Sequence, residues 1–170
     1  MLAYVKFFNR LGKGCGVFAS VAVIILSLLM LLEVGLRYLA GAPTIWSYEV
    51  SYMLNGVAFV FGFSYVTLKN EHICVDFLSS RMPTKVNATI NLLVTLALIF
   101  PLFCWLAFHV SADAIKFFED GRTSGVSAWN PVIWPYKSLL AIGLIFAALQ
   151  LFNSLVGLFL KVAFNSEIKE

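Results

Sequence analysis

The sequence predicts an all-α integral membrane protein with four transmembrane helices, and two observations support this fold class. Of its 170 residues, 61% are hydrophobic and only 12% are charged, with a mean hydropathy of +0.89. The apolar residues also stand in long blocks rather than alternating with polar ones. A soluble domain of this length exposes too much of its chain to conceal so much apolar surface. We therefore expect a single membrane domain over residues 1–170.

The positions of the spans follow from the roughly 20 apolar residues that a helix needs to cross the hydrocarbon core. We expect spans at about residues 17–39, 48–68, 84–110 and 133–160, with an end at residue 118 as the longer alternative for the third helix. The first block has a basic start, like a signal peptide, but its apolar run exceeds the roughly 7 to 15 residues usual for one. It is therefore interpreted as a membrane span.

The connection between the second and third spans carries polar residues interleaved with apolar ones. In LKNEHICVDFLSSRMP (residues 68–83), apolar side chains recur at helical spacing, and His72 and Asp76 fall largely on the other side. This pattern predicts an amphipathic helix over about 71–82 that lies in the headgroup plane. A metal site would need more ligands than these residues and Cys74 offer, so we expect none.

Counts of lysine and arginine beside the spans predict the orientation of the chain. The eight basic residues on one side are Lys6, Arg10, Lys13, Lys69, Arg81, Lys85, Lys161 and Lys169, and the four on the other are Arg37, Lys116, Arg122 and Lys137. Both termini are therefore expected in the cytoplasm. Aromatic residues cluster on the other side, where SAWNPVIWPYK (residues 127–137) is expected to form an ordered outer loop.

One acidic and one basic residue lie near the outer end of the first span. Glu33 and Arg37 are one helical turn apart, in the order that favours an ion pair. We expect a mutual pair, and the alternative is a contact of either residue with another subunit or a lipid headgroup. A proton-carrying Glu33 would instead make this an autonomous four-helix proton-coupled exporter, although Glu33 stands toward the end of its span rather than at its centre.

A second group of charges lies at the end of the third helix and in the loop that follows. It comprises Asp113, Lys116, Glu119, Asp120 and Arg122. A solvated helix end is one interpretation of these residues. The functional alternative is a docking surface for a soluble protein, because mixed charges steer an encounter without strong affinity.

No cofactor, enzymatic activity or nucleic-acid partner is expected. The three cysteines are far apart in the sequence and show no paired spacing. His72 and His109 are expected on opposite sides of a bilayer of about 30 Å, so they cannot share a haem. The net charge of +3 is small and scattered, which is not typical of nucleic-acid binding.

Three stretches of the chain resemble one transporter family. They are LEVGLRYLAGAPTIWSYEV (32–50), GFSYVTLKNEHICVDFLSSRMP (62–83) and SAWNPVIWPYK (127–137). The matching positions within the first two stretches are Arg37, Tyr38, Pro43, Trp46, Ser47, Glu49, His72, Ile73, Val75 and Asp76. In order and spacing they resemble the small membrane subunit, the DctQ-like component, of tripartite ATP-independent periplasmic (TRAP) transporters. The resemblance covers almost the whole chain.

The resemblance implies a non-catalytic subunit in the cytoplasmic membrane of a bacterium or archaeon. It would scaffold a large multi-spanning subunit and help receive a periplasmic substrate-binding protein during sodium-coupled uptake of an organic acid. The matching residues would serve structure or subunit contact. A structural or assembly protein of the membrane remains an alternative. The sequence also departs from the family pattern, since two adjacent acids and a nearby arginine are common where this chain has Tyr48, Glu49 and Tyr52.

Overall fold

Five α-helices and one π-helical turn form the part of the chain that the computed structural model describes, residues 2–69 and 84–164. Helix α1 spans Leu2–Tyr38, α2 spans Ser47–Lys69 and α3 spans Thr84–Val94. The π-helical turn Thr95–Ile99 joins α3 to α4, Phe100–Glu119, and α5 spans Trp134–Phe164.

Four helical stretches are long and apolar enough to cross a membrane, which confirms the predicted fold class. They are Lys6–Tyr38, Ser47–Lys69, Thr89–Glu119 and Trp134–Leu160. The described residues contain no β-strand beyond a single bridge in the loop before α5. The predicted interfacial helix over 71–82 lies outside the described residues.

Helix α1 packs closely against the C-terminal half of α2. A Cβ atom at Gly12 would lie 2.7 Å from Leu68 Cδ2, and one at Gly16 would lie 2.7 Å from Tyr65 Cδ2. These glycines let the two backbones approach, as small residues do between membrane helices.

The core lies where α1, α2 and α5 meet. Cys15, Ala19, Val57 and Phe61 are its buried members. The Phe61 ring packs against aromatic rings on both sides, with centroid distances of 4.7 Å to Phe18 and 6.3 Å to Phe146. Helix α2 is therefore held between α1 and α5, while α4 packs against α5 and stacks its Phe103 ring on Phe63 of α2, with centroids 4.3 Å apart.

The proline in the third span is accommodated by a wider helical turn. Pro101 has no amide hydrogen to donate, and the π-helical turn lies immediately before Phe100, which begins α4. The Phe100 amide donates to the Thr95 carbonyl, five residues earlier. A π-turn inserts one extra residue into the helix, so the segments on its two sides present different faces to α5.

Both described connections lie at the same end of the bundle, here named the loop end. Residues 39–46 join α1 to α2, and the hairpin loop, residues 120–133, joins α4 to α5. Each connection makes a hydrogen bond to a buried glutamate near a helix terminus at this end. The loop end is therefore the part of the chain with the densest polar structure.

Candidate functional site

The first connection is attached to α1 through Glu33. This side chain is only 6% exposed, and its Oε1 accepts a hydrogen bond of 2.8 Å from Arg37. Its Oε2 accepts one from the Thr44 hydroxyl and another, of 3.3 Å, from the Thr44 amide. The predicted pair with Arg37 is therefore formed, and Thr44 completes the environment of the carboxylate.

The hairpin loop has defined internal hydrogen bonds. Thr123 and Val132 form an antiparallel bridge, and the Ser124 amide donates to the Pro131 carbonyl at 2.9 Å. At the tip, the Gly125 amide donates to Asn130 Oδ1 at 2.7 Å. Asn130 itself has a φ of 44°, a left-handed conformation that asparagine tolerates better than most residues. These bonds give the loop a defined conformation, and of the predicted loop 127–137 residues 134–137 instead belong to α5.

Glu49 joins the hairpin loop to α2. It lies in the first turn of the helix and is fully buried, at 0% exposure. Its Oε1 accepts a hydrogen bond from the Ser127 hydroxyl, whose oxygen in turn accepts one of 3.1 Å from the Trp129 amide. Its Oε2 has no hydrogen-bond partner within the described residues. Glu49, Ser127 and Trp129 form what we call the Glu49 clamp.

Two aromatic contacts extend the packing around the clamp. The Tyr52 ring lies 6.1 Å from the Tyr48 ring and 5.8 Å from the Tyr136 ring, measured between centroids. Tyr136 belongs to α5, so this contact connects the N-terminal parts of α2 and α5.

The charged residues predicted to dock a soluble protein fall into two classes. Asp113 lies 3.8 Å from Lys137 Nζ, and Asp120 lies 2.8 Å from Arg122 Nη2. The Arg122 and Lys137 cations also each lie 5.4 Å from the centroid of the Phe117 ring. These residues stabilise the loop end internally.

Lys116 and Glu119 form the second class. Both are exposed, and neither makes a salt bridge with any residue in the described ranges. They are thus the predicted docking residues whose charges remain available to another protein. Sequence spacing alone does not separate them from Asp113, Asp120 and Arg122.

The remaining predicted motif residues are divided between surface positions and the undescribed connection. Tyr38 is 78% exposed and Pro43 is exposed, while Trp46 is half-buried. His72 and Asp76 lie outside the described residues. The structure thus brings Arg37, Trp46 and Glu49 to one end of the bundle.

Two contact residues were not predicted from the sequence. Thr44 lies 11 residues from Glu33, and Ser127 lies 78 residues from Glu49. The bond from the Trp129 amide to the Ser127 hydroxyl, two residues earlier, is a local turn feature that a serine in a loop favours. This local pattern predicts a turn at Ser127, but it does not predict the contact of Ser127 with Glu49.

The described residues offer no site for a metal ion. In residues 2–69 and 84–164, no three His, Cys, Asp or Glu side chains come together as possible ligands. Two apolar grooves border α1 and α2, with volumes of about 480 and 340 Å³. Neither groove is lined by a charged side chain.

Comparison with known proteins supplies the family context of this arrangement. A family model described as tripartite ATP-independent periplasmic transporters, DctQ component, matches residues 26–161. The chain is also 26% identical over 122 residues to the sialic acid TRAP transporter permease protein SiaT of Haemophilus influenzae (strain 86-028NP). That alignment covers 72% of this chain and 19% of the relative, so the chain spans about a fifth of the relative's length.

Proposed function

Since the chain belongs to the DctQ component family of tripartite ATP-independent periplasmic transporters, we propose that it scaffolds the large membrane subunit of such a transporter. The family match carries this proposal, because residues 26–161 include residues 26–38 of the first membrane-spanning stretch and the whole of the other three. The chain is accordingly a multi-pass membrane protein of a transport family.

Substrate translocation is proposed to take place in the large subunit. An organic acid needs a cationic or strongly hydrogen-bonding site in a membrane interior. The two grooves beside α1 and α2 are lined by apolar side chains, with only Ser20 and the tyrosines Tyr65 and Tyr136 as polar contributors. This lining supports a non-catalytic role for the chain.

We propose that the transported substrate is an organic acid. The name of the SiaT relative specifies sialic acid, which is an organic acid, and this supports uptake of an organic acid by the complex. We propose that this uptake is coupled to sodium, as the family resemblance implies.

The loop end is proposed to face the periplasm, with both termini in the cytoplasm of a bacterial or archaeal cell. The eight-to-four distribution of basic residues supports this orientation. The aromatic residues of the first turns of α2 and α5 support a position of the loop end at a membrane interface, because tyrosine and tryptophan favour interfaces.

The exporter alternative is weakened by the surroundings of Glu33. Both carboxylate oxygens accept hydrogen bonds, from Arg37 and Thr44, so the group serves to hold the first connection. A proton carrier must exchange its partners during each cycle. A structural or assembly role outside transport is disfavoured by the family match.

Purification from native membranes in mild detergent tests the proposed function. We expect a large multi-spanning protein to co-purify with this chain in a fixed stoichiometry. The purified complex should support sodium-dependent uptake when the binding protein is added. Recovery of the chain alone, with proton-driven export from vesicles, would overturn the proposal.

The hairpin loop is proposed to help receive the periplasmic binding protein. Its exposed side chains include Val126 at 58%, Trp129 at 42% and Val132 at 48%. Apolar groups held rigidly at an aqueous surface indicate a protein contact. The free charges of Lys116 and Glu119 border this surface and would steer the encounter.

Reversal of the Glu119 charge is expected to change the concentration of binding protein that gives half-maximal uptake. We expect a roughly two- to tenfold change for Glu119→Lys and a smaller one for Glu119→Gln, and both should shrink at high salt because the charge is exposed. The measurement is uptake into proteoliposomes against binding-protein concentration.

Asp120→Asn is the control for loop structure, because it weakens the 2.8 Å pair with Arg122 without introducing a positive charge. An unchanged half-maximal concentration for Glu119→Lys would contradict an electrostatic role in docking.

A further inference from the structure

One side of α1 is cationic near the N-terminus of the helix. Lys6, Arg10 and Lys13 follow one another at intervals of four and three residues, so they line one side of the helix. All three are exposed, and none makes a salt bridge with a residue in the described ranges. We call Lys6, Arg10 and Lys13 the cationic face.

The opposite side of the same helical turns is buried against the bundle. Phe8, Cys15 and Ala19 are buried, and Gly12 lies against Leu68 of α2. These four residues of α1 also recur at intervals of three and four, on the side of the helix away from the cationic face. Packing therefore fixes the rotation of α1 about its axis, and the cationic face points away from the protein.

The outward side of α1 becomes apolar one turn after Lys13. Val17, Val21, Ile24 and Leu28 continue the line of the cationic face, and all four are exposed. One continuous side of the helix thus passes from cations to exposed hydrocarbon. This change is expected where a helix passes from the headgroup layer of a bilayer into its hydrocarbon core.

The length of α1 agrees with this placement. At a rise of about 1.5 Å per residue, Lys13 and Arg37 lie about 36 Å apart along the helix, or about 34 Å apart across the bilayer at the common tilt of about 20°. Both distances exceed the hydrocarbon core of about 30 Å. The helix therefore reaches from one headgroup layer to the other between these two residues, and Arg10 and Lys6 lie outside the core together with Lys13.

The charges of the described residues are divided between the two ends of the bundle. Every described acidic side chain lies toward the loop end, and these are Glu33, Glu49, Asp113, Glu119 and Asp120. At the opposite end, Lys69 in the last turn of α2 is a fourth exposed cation, and its neighbour Leu68 lies against Gly12 of α1. Like charges one helical turn apart repel one another. The cationic face thus carries a repulsion that no described anion offsets.

From the charge, the exposure and the position of these residues we infer that the cationic face binds the headgroups of anionic phospholipids. A phosphodiester offers two acceptor oxygens to the planar Arg10 guanidinium, and Lys6 and Lys13 supply positive charge on either side of it. The acyl chains of the same lipids cover the apolar continuation of the face. The inference requires the membrane fold and does not depend on the proposed transport function.

Lipid binding by the purified full chain tests the inference. In neutral detergent, fluorescence anisotropy of a labelled phosphatidylglycerol should show tighter binding than that of a labelled phosphatidylcholine, and the difference should shrink as salt is raised. Arg10→Gln should weaken phosphatidylglycerol binding roughly two- to fivefold, and the combined variant Lys6→Gln, Arg10→Gln and Lys13→Gln should weaken it by roughly tenfold or more. Equal phosphatidylglycerol binding by the original chain and the combined variant would overturn the inference.

Two controls separate charge from structure. The exchange variant Lys6→Arg, Arg10→Lys and Lys13→Arg keeps all three charges and should retain most of the binding. A loss as large as that of the glutamine variant would contradict an electrostatic site. Without anionic lipid, the glutamine variant should unfold at the same temperature as the original chain, since the three cations make no salt bridge within the described ranges. A lower temperature would show that they pair within the chain, against the inference.

Photocrosslinking in native membranes tests whether a protein covers the face instead. The photoreactive p-benzoylphenylalanine in place of Val17, which is exposed on the same side of α1, should crosslink to phospholipid. A crosslink to another protein would assign the cationic face to an acidic protein surface and overturn the inference. The anisotropy measurement uses this chain alone, so its result is independent of whether a large subunit co-purifies.

Discussion

Replacing Gly143 by alanine is expected to lower the free energy of unfolding of the purified protein by about 1–3 kcal/mol. A Cβ atom at this position would lie 2.8 Å from both Phe61 Cε2 and Val60 Cγ1. These atoms belong to α2, which is held in place by α1 on its opposite side, so α2 cannot easily withdraw. The measurement is denaturant or thermal unfolding in mixed micelles.

Gly157→Ala is the matched control in the same helix. A Cβ atom there would meet no atom within 4 Å. Its effect on unfolding should therefore be neutral or stabilising, by up to about 1 kcal/mol, because alanine favours a helix over glycine. In a Val60→Ala background, Gly143→Ala should cost less, because one of the two clashes is removed. Equal losses for Gly143→Ala and Gly157→Ala would show that close helix packing is not the cause.

Breaking the Glu49 clamp is the second large expected effect. Ser127→Ala removes the described donor to a carboxyl group that is fully buried, leaving both of its oxygens without a partner. We expect a loss of about 1–3 kcal/mol in the free energy of unfolding, since an unsatisfied buried polar group keeps its desolvation cost. The hairpin loop should also become more susceptible to proteolysis.

A double-mutant cycle distinguishes the clamp from a general effect of loop substitutions. In a Glu49→Leu background the carboxyl group is absent, so Ser127→Ala should cost much less than in the original chain. Ser124→Ala is a suitable control in the same loop, because the Ser124 hydroxyl accepts only the exposed Val126 amide, at 3.4 Å. Additive losses at positions 49 and 127 would contradict the clamp.

Glu49 Oε2, which has no partner among the described residues, belongs to the same helical turn as the position where the sequence departs from the family pattern. Tyr52 stands where an arginine is common in the resembled family, one helical turn after Glu49. Here Tyr52 packs against Tyr136 on α5 instead of supplying a cation. The contact of α2 with α5 at this end is thus aromatic, and the carboxyl group relies on a loop serine.

The membrane class, the four spans and the Glu33–Arg37 pair were predictable from the sequence because each depends on neighbours along one chain. Hydropathy over about 20 residues specifies a span, and a spacing of four residues places two side chains on one helical turn. The ordered loop around Asn130 was predictable for the same reason, since turn-forming residues act locally.

The family resemblance was also visible in the sequence, because the motif residues keep their order and spacing. The pairing of the loop-end charges was not. Asp113 pairs with Lys137 and Asp120 with Arg122, whereas Glu119 has no such partner among the described residues. The Asp113–Lys137 pair depends on how α4 meets α5, which apolar spans do not reveal through periodicity.

The sequence by itself determined that the chain is a four-span membrane protein of a recognisable transporter family. Only the tertiary structure decided which polar groups are satisfied within the chain and which are not. Glu33 reaches Thr44 and Glu49 reaches Ser127 across 78 residues, while Glu49 Oε2 has no partner within the described residues. The physical reason is that hydrogen bonding requires atoms at about 3 Å in a suitable direction, and helix packing sets those distances.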